Sequence, residues 1–178
     1  MNLKININSV GIVNIYSSNR AKRIIIYVKK NNEIKVAVPK GVSIDKVKEF
    51  IFLKANWIRD TKKKISNKIS LDSNNINKKL AKKILIERLN KISVETGLLY
   101  NKVSIRNQKT RWGSCSSLNN INLNINLINL PLRLIDYVIY HELVHTIEKN
   151  HSLKFWNLLK FYLPEAMSLN KELNNYAL

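Results

Sequence analysis

The chain has 178 residues, 45% of them hydrophobic and 24% charged, with 31 Lys and Arg against 12 Asp and Glu for a net charge of +19. This length suits one domain or one domain with a sub-lobe, and the apolar content excludes a disordered chain. A single cysteine, Cys115, excludes an internal disulfide and fits a reducing compartment.

The opening "MNLKININSVGIVNIY" has asparagine breaking every apolar run and no small-residue cleavage site, unlike a signal peptide. No apolar stretch approaches the roughly 18 residues needed to cross a bilayer. A cytoplasmic protein with no membrane partner is expected. The basic residues scatter along a chain rich in Lys, Asn and Ile, a bias that nucleotide composition alone produces. The charge therefore admits nucleic acid as a partner without favouring it.

Residues 10–16, 23–29 and 33–38 read as short strands rich in Ile and Val, with "KNNE" a hairpin turn between the last two. Ser43 is placed to cap a helix whose apolar positions Val47, Phe50, Ile51, Ala55 and Ile58 recur at helical spacing. The stretch "SNKISLDSNN", 66–75, has the composition of a loop or lobe boundary. A second helix runs to about Leu99, with Ile76, Leu80, Ile84 and Ile92 near one face and Gly97 near its end. "KVSIR" is a short strand. "NINLNINLI", 120–128, alternates with a period of two and predicts a half-buried strand with a polar face. Pro131 then sits where a first helical turn tolerates it, ahead of the helix "LRLIDYVIYHELVHTIE". The helix "SLKFWNLLKFYL" stops at Pro164, and a last polar helix closes the chain.

All three histidines fall within "HELVHTIEKNH", 141–151. Residues four apart on a helix lie about 40° apart around its axis, so His141 and His145 project together and can share one ion. Glu142 is rotated off that line but stays within reach of a water on the metal, whose pKa a bound ion lowers towards ~7. His151 would stand about 15 Å beyond His141 on a continuous helix, too far to share the ion. The chain must therefore leave the helix after about Ile147 and fold back. Zinc proteases of the metzincin class share this spacing and place a glycine where Glu148 stands here. Asn150 is the local candidate for a left-handed residue. Glu148 and Glu165 remain rivals to His151 as third ligand. The motif helix carries Leu134, Ile135, Val138, Ile139, Leu143 and Ile147 on several sides. It is therefore expected to be buried, where unpaired His and Glu would be costly.

"KTRWGSCSSLNNINLN" followed by "IDYVIYHELVHTIEKNHSLKFW" resembles the YgjP-like family of metal-dependent hydrolases, relatives of the WLM and SprT-like zinc proteases. The leading "SNRAKRIIIYV", "IKVAVPKGVS" and "FIFLKANWI" are similar to that family too, so the resemblance spans about Ser18 to Leu163. It implies an α+β fold with a zincin-like core, a small mixed or antiparallel sheet packed on the HExxH helix, beside an N-terminal β-rich lobe with a helix. The lobe is expected over 1–70 and the metallohydrolase core over 71–178, or as one continuous family domain. The resemblance places the metal ligands at His141, His145 and His151, with one Zn2+ or another divalent ion, and the catalytic glutamate at Glu142. It assigns no role to Met167.

Around these, Lys109 and Arg111 are close enough in sequence to hold a phosphate group or a developing oxyanion. Gly113, with Ser114 beside it, would let backbone approach closely next to a substrate-aligning strand. Cys115 is expected to be a small buried hydrophobe, Phe155 and Trp156 core anchors for His151, and Asp136 a partner of the helix dipole. The leading function is zinc-dependent hydrolysis of a peptide bond. The alternatives are a nucleoside triphosphate (UTP) pyrophosphatase, an activity that the resemblance includes, and a DNA-associated protease or basic binding module. The substrate is thus a peptide or a nucleotide.

Overall fold

The computed structural model describes residues 2–29, 31–70 and 76–178. The chain forms two compact units, Met1–Lys68 and Ile69–Leu178.

In the first unit, β1 (Asn2–Ile7), β2 (Gly11–Ser17), β3 (Ile25–Val28) and β4 (Ile34–Val38) form one sheet in the order β1-β2-β4-β3. β2 and β4 run parallel and the other pairs antiparallel. α1 (Ile44–Leu53) and α2 (Ala55–Ser66) cover one face, burying Val47, Ile51, Ala55 and Ile58 against Val13, Ile15, Ile34, Val36 and Val38. The sequence pattern misses β1. Its residues alternate, but asparagine is a poor strand former, and the pairing is secured by a tight turn in which Val10 N–H donates to the Ile7 carbonyl at 2.9 Å and Gly11 adopts φ 90°. Ser43 stands at the N-cap in extended conformation without a side-chain cap bond, and the single expected helix is two, broken at Lys54. Helical spacing of apolar residues continues across the break, so periodicity carries no sign of it. The "KNNE" turn includes Lys30, which lies outside the described residues; its flanks close with Lys29 N–H on Glu33 O at 2.8 Å, and Asn32 is left-handed at φ 61°.

The second unit begins with β5 (Ile69–Ser70), so the expected loop 66–75 contains a strand, while 71–75 lie outside the described residues. α3 (Lys78–Thr96) starts at Asn77, whose side chain accepts from Leu80 N–H, and ends at left-handed Gly97. Its buried stripe is Ala81, Leu85, Leu89 and Ile92, whereas Leu80 is 53% exposed. The expected face was one residue off, because Ile76, Leu80 and Ile84 follow the same spacing one step round the helix. β6 (Lys102–Arg106), β7 (Gly113–Cys115) and β8 (Asn120–Asn124) form a mixed sheet ordered β6-β8-β7, with β6 parallel and β7 antiparallel to β8. β8 stops earlier than its alternation predicts and passes into a 3-10 turn, Ile125–Asn129. The cause is Asn124, fully buried instead of solvated. Its Nδ2 donates to Gln108 O at 2.7 Å and Arg111 O at 2.9 Å, and its Oδ1 accepts from Asn126 N–H at 3.0 Å.

α4 (Leu132–Val144), α5 (Leu153–Tyr162) and α6 (Ala166–Leu173) follow, and β9 (Tyr176–Ala177) pairs parallel with β5. α4 packs on β7 and β8, giving the small mixed sheet on the HExxH helix expected of the α+β class. Among the described residues no helix is long and apolar enough to cross a membrane.

Candidate metal centre

His141 lies in the last turn of α4 and His145 at its C-cap. The helix ends at Val144, three residues before the expected point. Its last bonds tighten, with Thr146 N–H on Leu143 O at 2.9 Å and Ile147 N–H on Val144 O at 3.0 Å, and the Thr146 hydroxyl also donates to Leu143 O. This tightening reverses the chain without a left-handed residue. Asn150 is not one; among the described non-glycine residues only Asn32 and Asn119 have positive φ. Ser152 then caps α5, its hydroxyl accepting from Phe155 N–H, which fixes His151 one residue ahead of the cap of the new helix.

The three rings meet as the i, i+4 geometry requires. His151 Nε2 lies 2.9 Å from His141 Nε2 and 3.2 Å from His145 Nε2. His145 Nδ1 is 2.8 Å from the Glu148 carbonyl, which can only accept, so that nitrogen carries the proton and Nε2 presents a bare lone pair. Nitrogen ligands about 2.0–2.1 Å from one tetrahedral ion stand about 3.3 Å apart, close to the observed separations. Three lone-pair donors converging without an acid between them repel one another unless a cation sits among them, so the set fits a metal. Among the described residues the triad is the only group of three or more His, Cys, Asp or Glu placed to share an ion, and neither Glu148 nor Glu165 joins it. Glu148 contributes its carbonyl instead.

Phe155 forms the floor of the cluster. It is fully buried, with its ring centroid 4.4–4.9 Å from all three imidazoles, and Trp156 lies 6.0 Å from His151 at a 34° tilt. His141 Nδ1 is buried with no hydrogen-bond partner among the described residues, so packing orients that ring. Burial, with His145 and His151 nearby, lowers the His141 pKa to about 3. Burial also lowers that of His145, against the Glu148 carbonyl bond. His141 and His145 are thus held towards the neutral form, the one that binds metal.

Glu142 is 6% exposed. Burial raises its pKa to about 8, opposed by the positive charge of Arg111. Its carboxyl lies directly on β7: a Cβ added to Gly113 would stand 2.6 Å from Oε1 and 2.7 Å from Cγ. Gly113 therefore admits close approach, of the Glu142 side chain to the backbone. Ser114 faces Asn122 across the sheet and accepts from its Nδ2 at 3.4 Å. Arg111 and Lys109 are exposed on the loop before β7, and Lys109 forms no ion pair among the described residues. Cys115 is half-buried against the core, and burial raises its pKa.

Two supports escape a reading of the sequence. Lys149 donates to Ser116 O at 3.1 Å and to Asn119 Oδ1, tying the β7–β8 turn to the segment between His145 and His151. Asp136 takes Arg88 of α3 in two bonds, Nε and Nη2 each at 2.6 Å, in place of a helix-dipole role alone. Neither pairing has a local signal, since each joins residues thirty or more positions apart.

The model of one protein family, the YgjP-like metallopeptidase domain, matches residues 22–77 and 67–176. No curated protein matches the chain. Two solved structures of archaeal metallopeptidase zymogens are similar over part of it. Pyrococcus abyssi abylysin is 25% identical, covering 50% of this chain and 90% of its own, with a TM-score of 0.45. Methanocaldococcus jannaschii jannalysin is 26% identical, covering 50% and 92%, with a TM-score of 0.44. With the family match running over both units and across the histidine triad, the chain belongs to the YgjP-like metallopeptidase domain family.

Proposed function

We propose that the chain is a zinc peptidase in which His141, His145 and His151 hold the ion and Glu142 moves the proton. The convergence of three Nε2 atoms, with the buried Glu142 next in sequence to the first of them, is the observation that carries this reading. Three imidazoles suit a borderline ion such as Zn2+ better than the oxygen-seeking Mg2+ or Ca2+. When bound, the ion supplies Lewis acidity to the attacking water and the scissile carbonyl.

Glu142 takes the proton released as the water attacks and delivers it to the departing amine nitrogen. A carboxyl whose pKa burial raises to about 8 is a stronger base than an ordinary glutamate and exchanges its proton near neutrality, which suits both acts. Gly113 fixes where that carboxyl stands. Arg111, whose charge favours the ionised form of Glu142, would meet the developing oxyanion. The outer edge of β7, unpaired in its sheet, offers the main-chain groups of Gly113 and Cys115 to an extended peptide, since Trp112, Ser114 and Ser116 spend theirs on β8.

Purified chain is incubated with a panel of peptides and with UTP, using Glu142→Gln as the blank. Peptide cleavage in the wild type alone is expected. Release of pyrophosphate from UTP with no peptide cleavage would assign the site to nucleotide hydrolysis.

A further inference from the structure

The free edge of the sheet in the unit Met1–Lys68 carries a groove that takes no part in the chemistry above. β3 is the outermost strand. Lys29 N–H donates to Glu33 O, and β3 pairs Tyr27 with Lys35 and Ile25 with Ala37. Bonded and non-bonded pairs alternate in an antiparallel ladder, so the N–H and C=O groups of Ile26 and Val28 point away from β4, into open space. The side chains of Ile24, Ile26 and Val28 turn inward onto the core. Beside them opens a groove of about 550 Å³ whose far wall is Phe50 and Trp57, the latter 48% exposed. Arg23 and Lys54 line the same groove, and neither is in an ion pair among the described residues.

An added strand would find main-chain partners along β3, an apolar slot for alternate side chains, and two unpaired cations. Charge decides what suits it. Met1–Lys68 holds sixteen Lys and Arg against four Asp and Glu, so 68 residues carry +12 of the +19. An even compositional bias would not concentrate the charge there. Acidic partners are favoured.

We propose that this groove captures an extended polypeptide segment, apolar at alternate positions and acidic at its flanks, by strand addition to β3. The segment is part of the substrate, an identification that rests on the peptidase reading.

Binding of labelled short peptides to the full-length Glu142→Gln chain tests this without turnover. The acidic-flanked alternating peptide should bind at least about tenfold more tightly than a basic-flanked one, and Trp57→Ala should weaken it by about tenfold or more. The double change Arg23→Glu, Lys54→Glu should reverse the flank preference. N-methylation of alternate peptide amides should abolish binding. Equal binding of acidic and basic flanks, indifference to N-methylation, or displacement by a single-stranded oligonucleotide that Trp57→Ala also weakens would overturn the proposal. Cleavage of other peptides by the wild-type chain is scored separately. Absent cleavage with intact groove binding sinks the peptidase reading alone, and the reverse result sinks the groove alone.

Discussion

Gly113→Ala is the substitution whose consequence follows most directly from the geometry. The new methyl would lie 2.6 Å from Glu142 Oε1, 2.7 Å from Cγ and 2.9 Å from Cδ, where ordinary contact begins at 3.4 Å. The carboxyl must therefore retreat by about 0.8 Å, the difference between 3.4 and 2.6 Å. Glu142 is 6% exposed, so retreat means displacing α4 from β7. Overpacking of this kind costs about 1–3 kcal/mol. A catalytic group misplaced by about 1 Å costs on the order of 100-fold in rate. Gly113 is not among the positive-φ glycines, so the effect is steric and not conformational. The assay pairs peptide turnover with metal content and urea unfolding, for Gly113→Ala alone and in a Glu142→Ala background. Metal should remain at one ion per chain while kcat falls. The stability cost should vanish in the double variant, which lacks Cγ, Cδ and Oε1, giving a coupling of about 1–3 kcal/mol. Undiminished kcat, or an equal cost in both backgrounds, would refute the reasoning.

The metal-free chain should have an unusual pH profile. His141, with a folded pKa near 3 against 6.5 unfolded, makes stability rise with pH between those values, and His145 adds in the same direction. Glu142, near 8 against 4.5, makes it fall from 4.5 to 8. Urea unfolding in chelator should show only a shallow rise up to about pH 6.5, where His141 and Glu142 offset each other and His145 remains, and then a decline approaching about 1.4 kcal/mol per pH unit, which Glu142→Gln removes. Saturating zinc at about 100 times Kd should stabilise the chain by about 2.7 kcal/mol, and His145→Ala should abolish that gain. Phe155→Leu should fold, yet bind zinc about tenfold or more weakly because the three rings lose their floor. Asp136→Asn should cost about 1–2 kcal/mol in urea unfolding by breaking the two-bond pair to Arg88, and should leave metal content unchanged.

The metal centre was legible because its first requirement is local. Four-residue spacing on a helix brings His141 and His145 together whatever surrounds them, and no other histidine competes with His151. How His151 returns was not legible, since the chain turns by tightened helical bonds and the Thr146 hydroxyl, and neither leaves a glycine-like mark. The Asn120–Leu127 alternation predicted a longer strand because nothing nearby shows that Asn124 is buried and bonded to the 108–111 loop. The role of Gly113 was half visible: the need for close approach could be read, but that Glu142 makes it depends on α4 packing against β7. On α3, two stripes one residue apart both carry apolar side chains, and only tertiary packing selects Ala81 and Leu85 over Leu80 and Ile84.

The most direct test is X-ray absorption at the zinc edge on chain loaded with one equivalent of Zn2+, repeated on His151→Ala. One ion with three imidazole ligands at about 2.0–2.1 Å, counted by the multiple scattering of their rings, and one solvent oxygen is expected, falling to two imidazoles in the variant. A wild-type ion with two nitrogens or fewer, or a coordination sphere untouched by the loss of His151, would contradict a shared site.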